Sequence, residues 1–256
     1  LGSSSAIFAS NLSSLGIRVG FIGKLGKDTF GDLVIEKLEA AGVDTSMVIQ
    51  SQSVQTGATI VLNFGEDRAM VTHMGAMEQL YLQDVQVDML RQARHLHLSS
   101  IFLQPGIQKD LVRLFKMAKE EGLTTSLDAQ WDPAEKWDLN LKALLPHLDL
   151  FLPNEKELLK LTQTENLDDA ISTLKESETI TVIKMGNKGS ISILKNKLLH
   201  LPAFLNKNIV DAIGAGDSFN AGFIAKFLQK MPLETCQEFG NLMGAISTTA
   251  SGGTGA

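Results

Sequence analysis

The chain has 256 residues, 44% hydrophobic and 20% charged, with a net charge of −6; it is long and apolar enough to bury a large core, which excludes a disordered chain. Lys and Arg are scattered singly rather than clustered, which excludes a nucleic-acid or anionic-membrane footprint and makes any anion site a local one. Cys236 is the single cysteine, which excludes an internal disulfide or a Cys-based zinc cluster and suits a reducing, cytoplasmic compartment, and no apolar run reaches the roughly 18 to 20 residues of a membrane span.

The opening at Leu1 has no charged stretch leading into an apolar one, so no signal peptide is expected, and an upstream segment is. Ala6 to Leu15 carries small and apolar residues at helical spacing and stops at Gly16. IRVGFIGKLG then reads as a strand and a glycine-rich turn. Phe30 to Ala41 predicts an amphipathic helix with Phe30, Leu33, Val34 and Leu38 on one face and Gly42 as its stop. Thr56 to Thr72 alternates around Gly65-Glu66-Asp67-Arg68, the pattern of a β-hairpin with a polar tip.

From His95 strands alternate with helices: HLHLSSIF, a helix over Gln108 to Glu121, LTTSLDAQ, the segment Lys142 to His147, LDLFLP, helices over Glu155 to Leu161 and Leu167 to Glu176, and TITVIKMG. A hairpin SISILKNKLLHLP, a strand ending at Val210, a helix after Gly216 and a last helix over Leu233 to Ala250 complete the chain. Strands this apolar between amphipathic helices imply a three-layer α/β/α sandwich with a mostly parallel central sheet, one domain over 1–256 with a β excursion near 47–76. Ligands in such sheets sit beyond the carboxyl ends of the strands.

VDAIGAGDSFNAGF (210–223) puts Gly214, Ala215 and Gly216 at a helix N-terminus and Asp217 in its first turn, where free N–H groups and the helix dipole favour an anion. Such a turn can hold a phosphoryl group while Asp217 works on a neighbouring hydroxyl; Asp217 is equally readable as a plain helix-start carboxylate. The same helix end should depress its pKa and make it a weak base. In LPNEKEL, Asn154 and Glu157 fit a capping box, and Glu157 also fits a holder of magnesium-bound water. Lys184, Gly186 and Gly189 follow an apolar strand, as an ordinary turn or as contacts to nucleotide phosphates. Gly23-Lys24-Leu25-Gly26-Lys27-Asp28 lacks the Walker spacing, and Gly214-x-Gly216-x-x-Phe219 lacks the third glycine of a dinucleotide fingerprint. His95 and His97 alternate on a strand with no further ligand nearby, which favours packing over metal binding.

Three segments together resemble the PfkB/ribokinase family of carbohydrate kinases: GKLGKDTFGDLVIEKLEAAGVDTSMV (23–48), LPNEKEL and VDAIGAGDSFNAGF, in order and at matching spacing across nearly the whole chain. The resemblance implies a ribokinase-like sandwich with a β-lid, ATP as donor, Mg²⁺ as cofactor, and transfer of the γ-phosphoryl group to a sugar or nucleoside hydroxyl. It implies Asp217 as catalytic base, Gly214, Ala215 and Gly216 as anion hole, Asn154 and Glu157 as organisers of magnesium and phosphates, and Lys184, Gly186 and Gly189 along the nucleotide. It places Asn241 near the adenine, gives Asp211 a monovalent cation (K⁺) role known in some members, makes Thr56 to Thr72 part of a lid that can also join two copies, and puts Ser3, Ser4 and Asp128 on the substrate side with Asp217.

The substrate motifs depart from the family pattern. Ser3 stands for the second Gly and Ile7 for the Asn of a Gly-Gly-x-x-x-Asn helix start. Asp128-Ala129-Gln130-Trp131-Asp132 replaces Asp-x-Asn-x-Arg, and Gly75-Ala76-Met77 replaces Gly-Ala-Asn. The family's first strand would lie upstream of Leu1, and the ending ASGGTGA is expected to fall short of a terminal helix. The reading is an ATP-dependent sugar kinase; the alternatives are a nucleoside kinase of the same fold and a noncatalytic sugar- or nucleotide-binding protein.

Overall fold

Alternation along neighbouring strands sets the two faces of the central sheet. Leu150 and Val182 join an apolar cluster with Phe8 and Phe223, while Phe151 and Ile183 join another with Phe115 and Leu158, and all eight are buried. A strand that is apolar at successive positions needs cover on both sides. The computed structural model describes residues 3–64, 67–207 and 209–256, with the side chains of 63–64 and 67–70 also outside the description.

The chain runs through α1 (Ser4–Ser14), β1 (Gly23–Gly26), α2 (Thr29–Ala40), β2 (Val48–Ser51), β3 (Ala58–Phe64), β4 (Asp67–His73), α3 (Val87–Leu90), β5 (His95–Ser99), α4 (Pro105–Gln108), α5 (Leu111–Glu120) and β6 (Thr124–Asp128). It continues through α6 (Leu141–Leu144), β7 (Leu150–Phe151), α7 (Glu155–Thr162), α8 (Leu167–Leu174), β8 (Ile180–Lys184), β9 (Ser190–Leu194), β10 (Lys197–Leu201), α9 (Ala215–Leu228) and α10 (Leu233–Ser247). The main sheet has the order β10-β9-β8-β7-β6-β5, with β5 to β8 parallel and β9 and β10 antiparallel. Helices α5 to α8 pack on one face, and α1, α9 and α10 on the other. This is the three-layer α/β/α architecture, and the antiparallel pair β3–β4 (Ala58↔His73, Phe64↔Asp67) is its small β-lid. The expected polar tip of that hairpin includes Gly65 and Glu66, which lie outside the described residues.

Several local expectations are corrected. GKLG is itself strand β1, paired in parallel with β2 (Gly23↔Val48, Gly26↔Ser51), whereas Ile17 to Ile22 makes only an isolated bridge, Gly20↔Asp44. Its glycines serve close approach: a Cβ on Gly26 would run into the Thr56 amide and the Val54 carbonyl. A cleft of about 770 Å³ separates Ile17 to Ile22 from β5. On α2, Leu38 is buried, but Phe30 is 59% and Leu33 46% exposed, so the apolar stripe is narrower than its spacing suggests. Val210 ends no strand; it lies in an irregular connection and its N–H donates to the Thr248 carbonyl (2.8 Å). His95 and His97 are packing groups that share Ser126 Oγ at 2.7 Å each, and desolvation pulls both imidazoles below their ordinary pKa, His95 to about 4.

The second cluster positions α9, so its centre sets how firmly the site is held. Phe223→Ala removes a fully buried ring and should cost roughly 3–5 kcal/mol, read as a fall in denaturation midpoint at unchanged m-value.

Candidate active site

Three helix N-termini converge at the carboxyl ends of β6 and β8: α1 at Ser4, α7 at Glu155 and α9 at Ala215. Each start presents unpaired N–H groups and a partial positive charge. A cavity of about 320 Å³ lies there, lined from β6 by Asp128 and Gln130, from α7 by Asn154 and Glu157, from β8 by Lys184 and Gly186, and from α9 by Gly216 and Asp217.

Gly214 begins α9 with φ +77, and a Cβ there would press on Gly253 and Ile7, so glycine is required both by the backbone and by packing. The Ala215 N–H turns back to the Ala212 carbonyl at 3.3 Å, while Gly216 lines the cavity. Asp211 braces this turn: its Oδ1 accepts from the Ile213 N–H (2.9 Å) and its Oδ2 from the Gly252 N–H (3.1 Å). Asp211 does not line the cavity. The two aspartates of the motif therefore have separate work.

Asp217 is buried at 7% exposure. Its Oδ1 accepts from Ser4 Oγ and from Gln130 Nε2 (2.9 Å), and the Gln130 amide also touches Ser4 Oγ. Burial, the largest influence, pushes its pKa up to about 6 against the lowering effect of the Ser4 hydrogen bond, and the nearby Asp128 carboxylate adds to the rise. The depressed pKa expected from the helix end is thus overturned, because desolvation outweighs the dipole.

Opposite sits a buried ion pair. Lys184 Nζ donates to Asp128 Oδ2 (2.6 Å) and to Asn220 Oδ1 (3.3 Å), and Asn220 Nδ2 donates to the same Asp128 oxygen (2.5 Å). Desolvation opposes the ammonium, yet the Asp128 and Glu157 carboxylates outweigh it and hold Lys184 above its ordinary pKa. Lys184 is thus paired with protein carboxylates while it lines the cavity. Asp128 Oδ1 is buried without a hydrogen-bond partner. Glu157 completes the capping box, accepting from the Asn154 N–H (2.9 Å) while its own N–H donates to Asn154 Oδ1 (2.9 Å). It also faces the cavity, where burial first and Asp128 second push its carboxyl up to about 7.

The whole constellation fits a known pattern. A family model described as "pfkB family carbohydrate kinase" matches residues 8–256. The chain belongs to the pfkB family of carbohydrate kinases. It is 29% identical over 234 residues to an uncharacterized sugar kinase of Archaeoglobus fulgidus, covering 91% of this chain and 92% of that protein. It is 30% identical over 260 residues to an ATP-dependent ribose-1-phosphate kinase of Halopiger xanaduensis, covering 98% and 81%. An E. coli protein assigned as a ribokinase II and solved with ATP and Mg²⁺ superposes with a TM-score of 0.87 at 26% identity, over 99% of this chain and 84% of that one.

Not every residue singled out in this pfkB chain reaches the cavity. Asn241 accepts from Ser190 Oγ (2.9 Å) and donates to the Pro202 carbonyl (3.1 Å), pinning α10 to the β9–β10 hairpin. Gly189, at φ +92, sits where any Cβ would collide with the Leu201 carbonyl, so its glycine serves the hairpin. Ser3 is exposed at the head of α1, and its neighbour Ser4 makes the contact to Asp217. Gln130 and Asn220 were missed. Asn220 carried a signal, as a polar residue three beyond Asp217 between Phe219 and Phe223; Gln130 carried none beyond its departure from Asp-x-Asn-x-Arg.

The raised pKa of Asp217 makes its ionisation a cost to the fold. In the native state the proton stays until about pH 6, in the unfolded chain only until about 3.8, so stability falls as pH rises through that window. Asp217→Asn should therefore melt higher than wild type without ligand, with a margin that widens from pH 4 to 6 and levels off above. A margin independent of pH, in paired thermal melts, would contradict the assignment.

Proposed function

We propose that this pfkB-family chain transfers the γ-phosphoryl group of ATP to a hydroxyl of a small sugar, with Asp217 as the base. The observation that carries the reading is a buried carboxylate of pKa about 6 in the first turn of α9, beside Gly216 and within hydrogen-bond reach of a serine hydroxyl. That contact marks where a donor hydroxyl fits. An acceptor hydroxyl replacing Ser4 would be oriented by Asp217, which is ionised at neutral pH yet basic enough to take the proton as the O–P bond forms. The Gly216 amide on the cavity wall, in the turn that Gly214 and Ala215 build, would disperse the charge on the transferred group together with the α9 dipole, and Lys184, packed beside Gly216, adds to the positive field.

The residues fit Mg²⁺. Three carboxylates, Asp128, Glu157 and Asp217, share one ammonium in the cavity, and Asp128 Oδ1 lacks a partner. Among the described residues no group of three or more His, Cys, Asp or Glu is placed to coordinate a metal directly, which suits an ion held by Glu157 and Asn154 through its water shell and by the phosphates. When bound, it would neutralise phosphate charge. Gly186, on the cavity wall, would meet the nucleotide, with Gly189 and Asn241 shaping its surroundings; Asp211 is the group we assign to a monovalent cation such as K⁺.

Lid closure would exclude water from the transfer. Ile60 and Val71, paired across β3–β4, are 62% and 58% exposed, and we assign that face to a second copy of the chain. No helix among the described residues is long and apolar enough to cross a membrane; a buried free thiol at Cys236 is compatible with work in the cytoplasm.

Asp217→Asn should lower turnover by about two to four orders of magnitude with ATP affinity little changed, measured by ADP release and nucleotide titration; near-normal turnover would sink the assignment. In wild type, kcat/KM for the acceptor should fall about tenfold per pH unit below about 6, as the base is protonated. Glu157→Gln should shift the magnesium dependence of turnover to higher concentration. A change in thermal midpoint alone would leave Glu157 with only its capping role.

A further inference from the structure

Beside the base, the structure holds a second polar arrangement that the phosphoryl-transfer chemistry does not use. Ser100 and Gln130 lie just past the carboxyl ends of adjacent parallel strands β5 and β6, and both adopt left-handed backbone, with φ of +57 and +62. Neither is glycine, asparagine or aspartate, so each conformation costs on the order of 1 kcal/mol or more and must be imposed by its surroundings. Their side chains meet: Ser100 Oγ donates to Gln130 Oε1 at 3.0 Å, which turns the Gln130 amide nitrogen toward Asp217 Oδ1 and Ser4 Oγ. Ser100 is itself fixed, since Gln104 Nε2 donates to the carbonyls of Ser99 (2.8 Å) and Ser100 (3.3 Å). Two strained residues thus hold one amide against the base.

The charge around this amide is one-sided. Lys184, the cation of the cavity, is engaged by Asp128 and Asn220. The next acidic residue along the loop, Asp132, is folded into its own backbone, accepting from the N–H groups of Ala134, Lys136 and Trp137 at 2.7 to 2.9 Å. The groups that touch Asp217 are a hydroxyl and a primary amide. Among the described residues that line the cavity, a carboxylate or phosphate on the acceptor would meet carboxylates and one ammonium that is already paired, and like-charge juxtaposition of this kind costs several kcal/mol. A neutral polyol instead finds a donor–acceptor pair matched to adjacent hydroxyls. Trp131, next to Gln130 in the chain and 43% exposed, is held edge-on to Trp137 at 4.9 Å.

We infer that Ser4, Ser100 and Gln130 form an acceptor subsite selective for an uncharged polyol, a neutral sugar or the ribose of a nucleoside, and that acidic and phosphorylated sugars are poor acceptors. This rests on the kinase reading for its catalytic consequence, but the selectivity is a property of binding and is measurable without turnover.

The test pairs both measurements on the full chain with Mg²⁺. D-fructose, D-ribose and adenosine are compared with D-gluconate and ribose 5-phosphate, by ADP release with product mass and by calorimetric binding to the wild-type chain in the presence of ADP, which carries no γ-phosphoryl group to transfer. The expected result is at least about a hundredfold preference in kcat/KM for one of the neutral acceptors, the equivalent of nearly 3 kcal/mol, and binding of that compound alone. Preference for gluconate or ribose 5-phosphate in either measurement overturns the inference. Absence of turnover with every compound would remove the kinase reading while calorimetry still decides selectivity, and absence of binding by all neutral compounds overturns it as well. Gln130→Ala should raise the acceptor KM at least tenfold with the ATP KM unchanged. Gln130→Glu should move the acidic limb of the pH profile upward, because a second carboxylate beside Asp217 raises its pKa. A purely structural Gln130 would leave that limb in place.

Discussion

The Lys184–Asp128 ion pair is the contact on which the site depends. An ammonium at 13% exposure against a carboxylate at 1% is tolerable only with close pairing and further hydrogen bonds, since the desolvation cost is several kcal/mol per ion. Asn220 supplies them, accepting from Lys184 and donating to Asp128. These three residues come from β8, β6 and α9, so one polar junction fixes the carboxyl ends of two strands against the helix that carries Asp217. Glu157 on α7 joins electrostatically. Without the ammonium, three carboxylates would share the cavity, and protonation would be the cheapest way to relieve them.

The same cavity explains how a carboxylate at a helix N-terminus keeps a raised pKa. A dipole of about half a charge favours the anion, and two side-chain donors favour it further. Burial works against all of these and wins, leaving Asp217 near 6. A carboxylate in open solvent at the same helix start would be some two units more acidic and a correspondingly poorer base. The apolar cluster beneath α9, with Phe219 and Phe223, holds the helix that carries this buried carboxylate.

Sequence patterns carried the architecture well and the side-chain network poorly. Apolar runs such as LDLFLP and TITVIK announced buried parallel strands because their burial on both faces leaves few polar positions. The turn at Gly214 was legible because positive φ and close approach both demand glycine. GKLG misled because glycine serves close backbone packing as readily as a turn, and only the partner strand β2 and the loop at Thr56 decide which. Phe30 and Leu33 misled because helical spacing fixes a face but not what covers it. The left-handed conformations of Ser100 and Gln130 leave no trace in composition; Ser100 is held by the nearby Gln104 amide, and Gln130 by Asp217, far away in the chain.

Glu157 shows why a capping bond and a carboxylate turned to the cavity need not be alternatives. An ionised carboxylate has about four lone-pair directions, and the Asn154 N–H takes one of them, on Oε2. The capping bond holds the side chain in one orientation at the start of α7, and that fixed orientation is what a hydrated cation requires of a group reached through water. Burial beside Asp128 raises its proton affinity to about pH 7, so in the proposed magnesium role a cation beside it would favour release of the proton. Local helix chemistry thus positions the oxygen, and the electrostatics of the cavity decide when it is charged.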